Sequence, residues 1–254
     1  MMTPLSISEG SISKAWARAF LALMSSGGAS RHPAVVSVHS LESGAAEDSA
    51  IRSKLDAALK KRGKNSCATV AGTLFPRSMW NPAIDKDAEA LYARYERAWP
   101  GIAKCPANRN GVYFRRLTSY RADKSTAPPI NQLQFITETY NEGNHRKSAL
   151  QASILDPSRD HTNNRQKGFP CLQQVSFTPL EHGRLSITGF YATQYQFEKA
   201  YGNYLGLYWL GLFMAKQLGL QLSQVVCVAS VLSLGDESKA DLKSLEQEIL
   251  TIVG

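Results

Sequence analysis

"AYGNYLGLYWLGLFMA", residues 200–215, is the most apolar run of the chain, and Lys199 and Lys216 bound it. A membrane-spanning helix needs roughly 20 apolar residues, whereas this run is shorter and contains Asn203. A helix with this sequence carries apolar side chains on nearly every side, which is typical of a helix inside a protein core. We therefore predict a helix buried on most faces inside the core, and no contact with a membrane.

Helical and strand patterns follow one another along the rest of the 254-residue chain. Helices are predicted at 11–28, 50–63, 87–102, 131–143 and 236–250, and strands at 34–41, 148–155, 172–179, 184–194 and 224–234. Ser11 or Ser13 caps the first helix, and we expect Pro100 to end the third. Helices around a mostly consecutive set of strands indicate an α+β fold in a single domain over residues 1–254.

The net charge of +8 is spread over several short basic groups rather than one run. No zinc-finger spacing or RNA-binding signature accompanies it, so we expect no nucleic-acid partner. Two interpretations stay open: an ordinary basic surface, or charges that converge on an anionic small molecule. The four cysteines form no CxxC pair, and the first residues lack the apolar core of a signal peptide. Both features favour a reduced, cytoplasmic setting.

The segment "DPSRDHTNNRQKGFP", residues 156–170, is a long polar connection between two predicted strands, and it ends directly before Cys171. Connections of this length are often functional. The thiolate is the reactive form of cysteine, and nearby cations lower the pKa of the thiol. Arg165, Lys167 and Arg146 are candidates for that charge, which makes Cys171 a candidate nucleophile. The alternative is a buried structural thiol, the interpretation we give to the other three cysteines.

Pro170-Cys171 is followed by "GRLS" at 183–186 and by Asn203 at the start of the buried helix. The order and spacing of these residues resemble thymidylate synthase and its pyrimidine hydroxymethylase relatives, most clearly over residues 131–219. The resemblance implies a three-layer fold in which a large mixed β-sheet and helices pack around a central buried helix. It also implies a pyrimidine nucleotide or nucleoside as the substrate.

The activity implied by the resemblance is methyl or hydroxymethyl transfer to C5 of the pyrimidine ring. In that family the cysteine, here Cys171, adds to C6, and C5 then attacks a one-carbon unit carried by 5,10-methylenetetrahydrofolate. Asn203 matches the asparagine that grips the ring edge; because cytosine-specific relatives carry aspartate there, Asn203 favours a uracil-type base. The alternative for Asn203 is an ordinary helix N-cap.

Further matches extend the expected site. Arg146 and Lys147 match a basic pair that reaches the phosphate site of the partner subunit, which implies a homodimer; solvated surface charge is the alternative. Tyr113 matches the tyrosine that lines the pocket of the cysteine, and a packed core tyrosine is the alternative.

Several family positions are changed in this chain. Ala192-Thr193 stands where the family has the Arg-Ser pair that binds phosphate and helps to activate the cysteine. Leu172 replaces a histidine, and Tyr195 replaces the aspartate on the folate side, so Tyr195 is counted as a substrate-binding candidate.

The polar connection before Cys171 contains residues that could compensate for these losses. Arg159, Arg165 and Gln166 are candidates for a rebuilt anion site. His161 beside Asp160 has the composition of an oriented general base, although a lone loop histidine is more often part of the surface.

Three functions are compatible with this sequence. The first is an enzyme that acts at C5 of a uracil-type nucleotide through Cys171. The second is a nucleotide-binding or regulatory protein that keeps the synthase fold and has lost turnover. The third is a cysteine hydrolase, for which His145 and His161 are the nearby histidine partners.

Overall fold

The computed structural model describes residues 4–41, 44, 46–85, 87–121, 126–143, 145–163 and 169–254. Within these ranges, six strands form one mixed sheet in the order β1-β2-β6-β5-β4-β3. Their bounds are Leu5–Glu9 (β1), Ala34–Val38 (β2), Gln151–Ser153 (β3), Leu172–Leu180 (β4), Arg184–Tyr195 (β5) and Gln221–Ser233 (β6). The β1–β2 and β5–β6 pairs are parallel and the other neighbours are antiparallel. The fold is therefore α+β with a single mixed sheet.

The helices surround this sheet. They are Ile12–Ser25 (α1), Ser49–Lys61 (α2), Cys67–Leu74 (α3), Glu89–Lys104 (α4), Tyr113–Thr118 (α5), Gln132–Asn141 (α6), Pro157–Asp160 (α7), Tyr201–Gln217 (α8) and Lys239–Val253 (α9). Short 3₁₀ turns occur at Arg77–Met79, Pro106–Asn108 and Lys147–Ala149, and a π-helical turn at Gln196–Ala200 leads into α8. The predicted helices and strands are confirmed, although their lengths differ.

The helix ends follow the capping signals where these signals are strong. The Ser11 side chain accepts a hydrogen bond from the Lys14 backbone N–H at 3.2 Å, which fixes the start of α1. The prediction that Pro100 ends α4 is wrong, because α4 continues to Lys104. Proline removes one intrahelical hydrogen bond. Pro100 lies on the solvent side of α4, where water can satisfy the carbonyl that loses its partner.

Helix α8 is the central element of the core. One side packs on the sheet, where Leu207 lies against Gly189 of β5. The opposite side packs on α3: a Cβ at Gly202 would lie 2.5 Å from Cβ of Val70, and one at Gly206 would lie 2.9 Å from Cβ of Leu74. Glycine at these positions therefore lets the two helices approach closely. The prediction of a helix buried on most faces is confirmed.

The sheet face opposite α8 carries side chains that reach solvent. One row of cross-strand partners runs Val35, Val228, Phe190 and Gln174 across β2, β6, β5 and β4. Phe190 is 42% exposed, and Val35 and Val228 are half-buried. Because alternate residues of a strand point to opposite faces, these side chains lie on the far side of the sheet from α8.

In the described part of the chain, none of the helices combines the length and the apolarity that a membrane span requires.

The contact between α3 and α8 predicts unequal effects of two glycine substitutions. Gly202→Ala should lower the free energy of unfolding by about 1–3 kcal/mol, because the added methyl group meets Val70 and the Cys67 carbonyl oxygen. Gly72→Ala in α3 is the matched control: a Cβ there meets nothing within 4 Å, so helix propensity should raise stability by up to about 1 kcal/mol. Urea denaturation measures both changes. Equal stability of Gly202→Ala and the wild-type protein would contradict this packing.

Candidate functional site

Cys171 lies at the entry of β4, directly after Pro170, and the bond between Phe169 and Pro170 is cis. The Cys171 backbone N–H donates to the hydroxyl oxygen of Tyr113 at 3.3 Å. Its carbonyl oxygen accepts from the Ala192 N–H of β5 at 2.9 Å. The residue is half-buried. Hydrogen bonds on both sides thus fix the backbone that carries the thiol, and the thiol is not enclosed completely.

Tyr113 and Phe169 form the aromatic wall beside Cys171. Their rings stack with centroids 5.1 Å apart. Tyr113 is the first residue of α5, and its hydroxyl oxygen also accepts from the Leu172 N–H at 3.5 Å. Burial is the main reason that the pKa of Tyr113 is raised. The protonated hydroxyl therefore positions the start of β4, and the structure brings Tyr113 and Cys171 together.

Burial raises the pKa of the Cys171 thiol, and the positive charge of Lys199 partly opposes this effect. Removal from water thus outweighs the charge of Lys199. Arg165 and Lys167, which were expected to lower the pKa, lie outside the described residues, so their effect stays a prediction. Lys199 was not a candidate in the sequence. It lies in the π-helical turn that leads into α8, one helical turn before Asn203. That spacing is visible in the sequence, whereas proximity to Cys171 depends on the fold.

Asn203 is the third residue of α8 and is only 6% exposed. The preceding residues 196–200 are already helical, so Asn203 lies inside a continuous helix and is not its N-cap. The N-cap alternative is therefore wrong. Asn203 shares the first turns of this helical unit with Lys199, whose charge acts on Cys171. Its assignment as the residue that contacts the pyrimidine ring stays a prediction.

The remaining described candidates lie on the surface. Arg146 and Lys147 are exposed at the start of a short 3₁₀ turn, and Tyr195 is 36% exposed at the end of β5. Ala192 is exposed and hydrogen-bonded to the backbone of Cys171, so the position of the missing family arginine adjoins the nucleophile candidate.

Asp160 does not act as the partner of His161. Both carboxylate oxygens of Asp160 accept from the Arg116 guanidinium, at 2.8 and 2.9 Å, and Asp160 is buried. His161 is exposed at the end of α7. The interpretation of the pair as an oriented general base is corrected, because the buried ion pair with Arg116 occupies the carboxylate. Arg165 and Gln166 lie outside the described residues.

The other cysteines differ from Cys171 in exposure. Cys67 and Cys227 are buried, and burial raises the pKa of both, that of Cys227 to about 12. Cys105 is exposed. Within the described ranges, no group of three histidine, cysteine or carboxylate side chains is arranged to hold a metal ion.

No protein-family model matches the chain, and no curated protein matches it in a sequence comparison. Any inference about the function of this site therefore rests on the chemistry of the side chains around Cys171. A thiol held beside a tyrosine, with an ammonium group that favours its ionised form, can act as a nucleophile once the thiolate forms.

The exposures and pKa shifts predict an order of alkylation. With iodoacetamide, Cys105 should react first because it is exposed, Cys171 second, and Cys67 and Cys227 only when the protein unfolds. Because the raised pKa leaves little thiolate at neutral pH, the Cys171 rate should rise about tenfold per pH unit between pH 7 and 9. Peptide mapping by mass spectrometry measures each site. A Cys171 rate that is already constant above pH 6.5 would contradict the raised pKa.

Removing the Lys199 charge should slow this reaction. In Lys199→Met the pKa of Cys171 rises further, so its alkylation rate at pH 8 should fall several-fold below the wild-type rate. Lys199→Arg keeps the charge and should retain most of the rate. If the Met and Arg variants react equally fast, Lys199 has no electrostatic effect on Cys171.

Proposed function

We propose that this protein has a thymidylate-synthase-like three-layer fold and is a transferase acting at C5 of a uracil-type pyrimidine nucleotide or nucleoside. The observation that carries the proposal is the fixed, half-buried Cys171 beside Tyr113 and within the electrostatic reach of Lys199. Asn203, buried one turn beyond Lys199, supports recognition of the ring by an amide. The thiol state of the four cysteines supports a cytoplasmic setting.

The chemical step begins with the Cys171 thiolate. Its sulfur forms a bond to C6, and the electrons of the C5–C6 double bond move onto C5 and the O4 carbonyl. The enolate carbon C5 then attacks an electrophile. Loss of the C5 proton returns the electrons, and the bond between sulfur and C6 breaks. Lys199 stabilises the thiolate before addition, and Tyr113 holds the backbone at the entry of β4 in place.

The residues of the site do not fit 5,10-methylenetetrahydrofolate as the resemblance describes it. The carboxylate expected on the folate side is replaced by Tyr195, whose phenol lacks the two acceptor oxygens of a carboxylate. None of the residue roles given above depends on that donor. Addition of Cys171 to the ring can therefore be tested in its absence.

Exchange of the C5 hydrogen tests the nucleophile directly. When uridine monophosphate is incubated with the protein in D₂O, addition at C6 lets C5 take up deuterium, and the C5–H signal in the proton NMR spectrum should decay. Cys171→Ser should abolish the decay, and Cys105→Ser, the control at an exposed thiol, should not affect it. Exchange that survives in Cys171→Ser would exclude Cys171 as the nucleophile.

Asn203→Asp should change which base binds. An amide both donates and accepts along the uracil edge, whereas a carboxylate only accepts and so suits the amino group of cytosine. Titration calorimetry should show uridine monophosphate binding more tightly than cytidine monophosphate in the wild-type protein, and the preference reversed in Asn203→Asp. Tighter binding of the cytidine nucleotide to the wild-type protein would contradict the base assignment.

A second candidate is a nucleotide-binding or regulatory protein without turnover. The raised pKa of Cys171 and the alanine at position 192 favour it, since both reduce activation of the thiol. The two candidates differ in one result: uridine monophosphate binding without C5 exchange indicates the binding protein.

We also propose that the protein is a homodimer. The sheet face with Phe190 offers a broad surface of apolar and polar side chains that a second copy can cover. A stable interface buries about 800 Å² on each partner, which an open face of several strands can supply. Arg146 and Lys147 are exposed at the start of a 3₁₀ turn and would be available to the partner.

Charge on this face should dissociate the dimer. Sedimentation equilibrium at micromolar concentration should give twice 27.9 kDa for the wild-type protein and 27.9 kDa for Phe190→Asp. Leu250→Asp is the control, because Leu250 is 49% exposed on α9, outside the sheet. A wild-type monomer at this concentration would remove the homodimer proposal.

A further inference from the structure

We propose that the chain carries a second ligand site, an arginine cleft that binds a phosphate-bearing small molecule. The cleft is a cavity of about 320 Å³. Its lining includes Trp99, Arg115, Arg116, Ser119, Arg121 and Arg159. Neither Cys171 nor Asn203 lines it. The cleft adjoins the pyrimidine site proposed above, because Phe169 contacts both Tyr113 and Arg116, and Arg159, an anion-site candidate in the sequence, lines the cleft.

Arg116 forms the rigid floor of the arginine cleft. It is 5% exposed, donates to both carboxylate oxygens of Asp160, and donates to the Ile154 carbonyl oxygen at 2.8 Å. Its guanidinium also lies over the Phe169 ring, 5.2 Å from the centroid. A buried pair with this many hydrogen bonds is fixed in place. Arg116 therefore shapes the cleft, and Asp160 balances its charge.

Arg115 forms one side wall of the arginine cleft, and two neighbours hold its side chain in place. Its guanidinium lies over the Trp99 ring, 4.8 Å from the centroid, and pairs with the carboxylate of Glu96. The Glu96 side chain is 53% exposed, so this ion pair is weak in water. An arginine stacked on an aromatic ring loses little further freedom when it binds an anion. A phosphate can therefore share or replace Glu96 at low cost.

Arg121 supplies charge at the rim. It is exposed, and within the described chain no carboxylate lies at salt-bridge distance from it. Ser119, half-buried between the arginines, offers a hydroxyl donor. The guanidinium fork matches the oxygens of a phosphate group in a bidentate way, which an ammonium group does not.

The size and shape of the cleft select the ligand class. A volume of about 320 Å³ lies at the lower end of the range of small-molecule sites and suits a compact molecule. The charges converge in a concavity rather than along an extended surface, which favours a small phosphate ester over a nucleic acid.

Titration calorimetry with ribose 5-phosphate and with inorganic phosphate tests the arginine cleft without a pyrimidine base. The wild-type protein should bind ribose 5-phosphate saturably at 50 mM salt, and Arg121→Gln should weaken this binding about tenfold or more. Arg121→Lys keeps the charge and should lose less. Arg18→Gln, at an exposed arginine of α1 outside the cleft, is the matched control and should bind like the wild-type protein.

Three results would overturn the proposal: no saturable binding of either probe, equal affinity of Arg121→Gln and the wild-type protein, or a loss in Arg18→Gln as large as that in Arg121→Gln. Arg115→Gln provides a second variant whose weaker binding supports the cleft and whose unchanged binding contradicts it. Thermal unfolding of each variant verifies that the fold is intact. Because the probes lack a base, failure here leaves C5 exchange at Cys171 as a separate result.

Discussion

The close packing of α8 between the sheet and α3 is the constraint on which the rest of the structure depends. Gly202 and Gly206 bring the backbone of α8 against α3, and Leu207 fills the space above Gly189 on the other side. Interiors packed at this density change little without a cost in free energy. The first turns of this helical unit, which carry Lys199 and Asn203, are consequently held at a fixed position relative to β5 and to Cys171.

The surroundings of Cys171 hold it in place and at the same time make its thiol less reactive. The Cys171 N–H donates to the Tyr113 hydroxyl oxygen and its carbonyl accepts from the Ala192 N–H, while partial burial raises the pKa of the thiol. Among the described residues, the Lys199 ammonium group opposes that effect. If Cys171 is the nucleophile, its ionisation has to be coupled to addition, because the negative charge then moves from sulfur onto C5 and O4 of the ring, which offsets the cost of forming a partly buried thiolate. Formation of the Cys171 thiolate with the substrate bound therefore distinguishes an enzyme from a nucleotide-binding protein with the same fold.

Much of the fold could be predicted from the sequence because its signals are local. Ser11 caps α1, and Ile51, Leu55 and Leu59 recur at helical spacing in α2, where all three are buried. Helix α3 was missed because it has only eight residues: Cys67, Val70, Ala71 and Leu74 recur at helical spacing and are buried, but the small residues of the other face give little contrast in polarity. Strand β1 was missed because it is short and mostly polar. The site was predicted less completely, since the effect of Lys199 on Cys171 and the pairing of Asp160 with Arg116 depend on residues far apart in the chain.

The central claim is that a uracil-type ring binds between Cys171 and Asn203. A crystal structure of the protein with uridine monophosphate tests it most directly. We expect C6 of the base within about 3–3.5 Å of the Cys171 sulfur, the separation of a near-attack arrangement, with the Asn203 amide on the N3–O4 edge. A nucleotide bound with its base away from both residues, for example with the whole molecule in the arginine cleft, would contradict it.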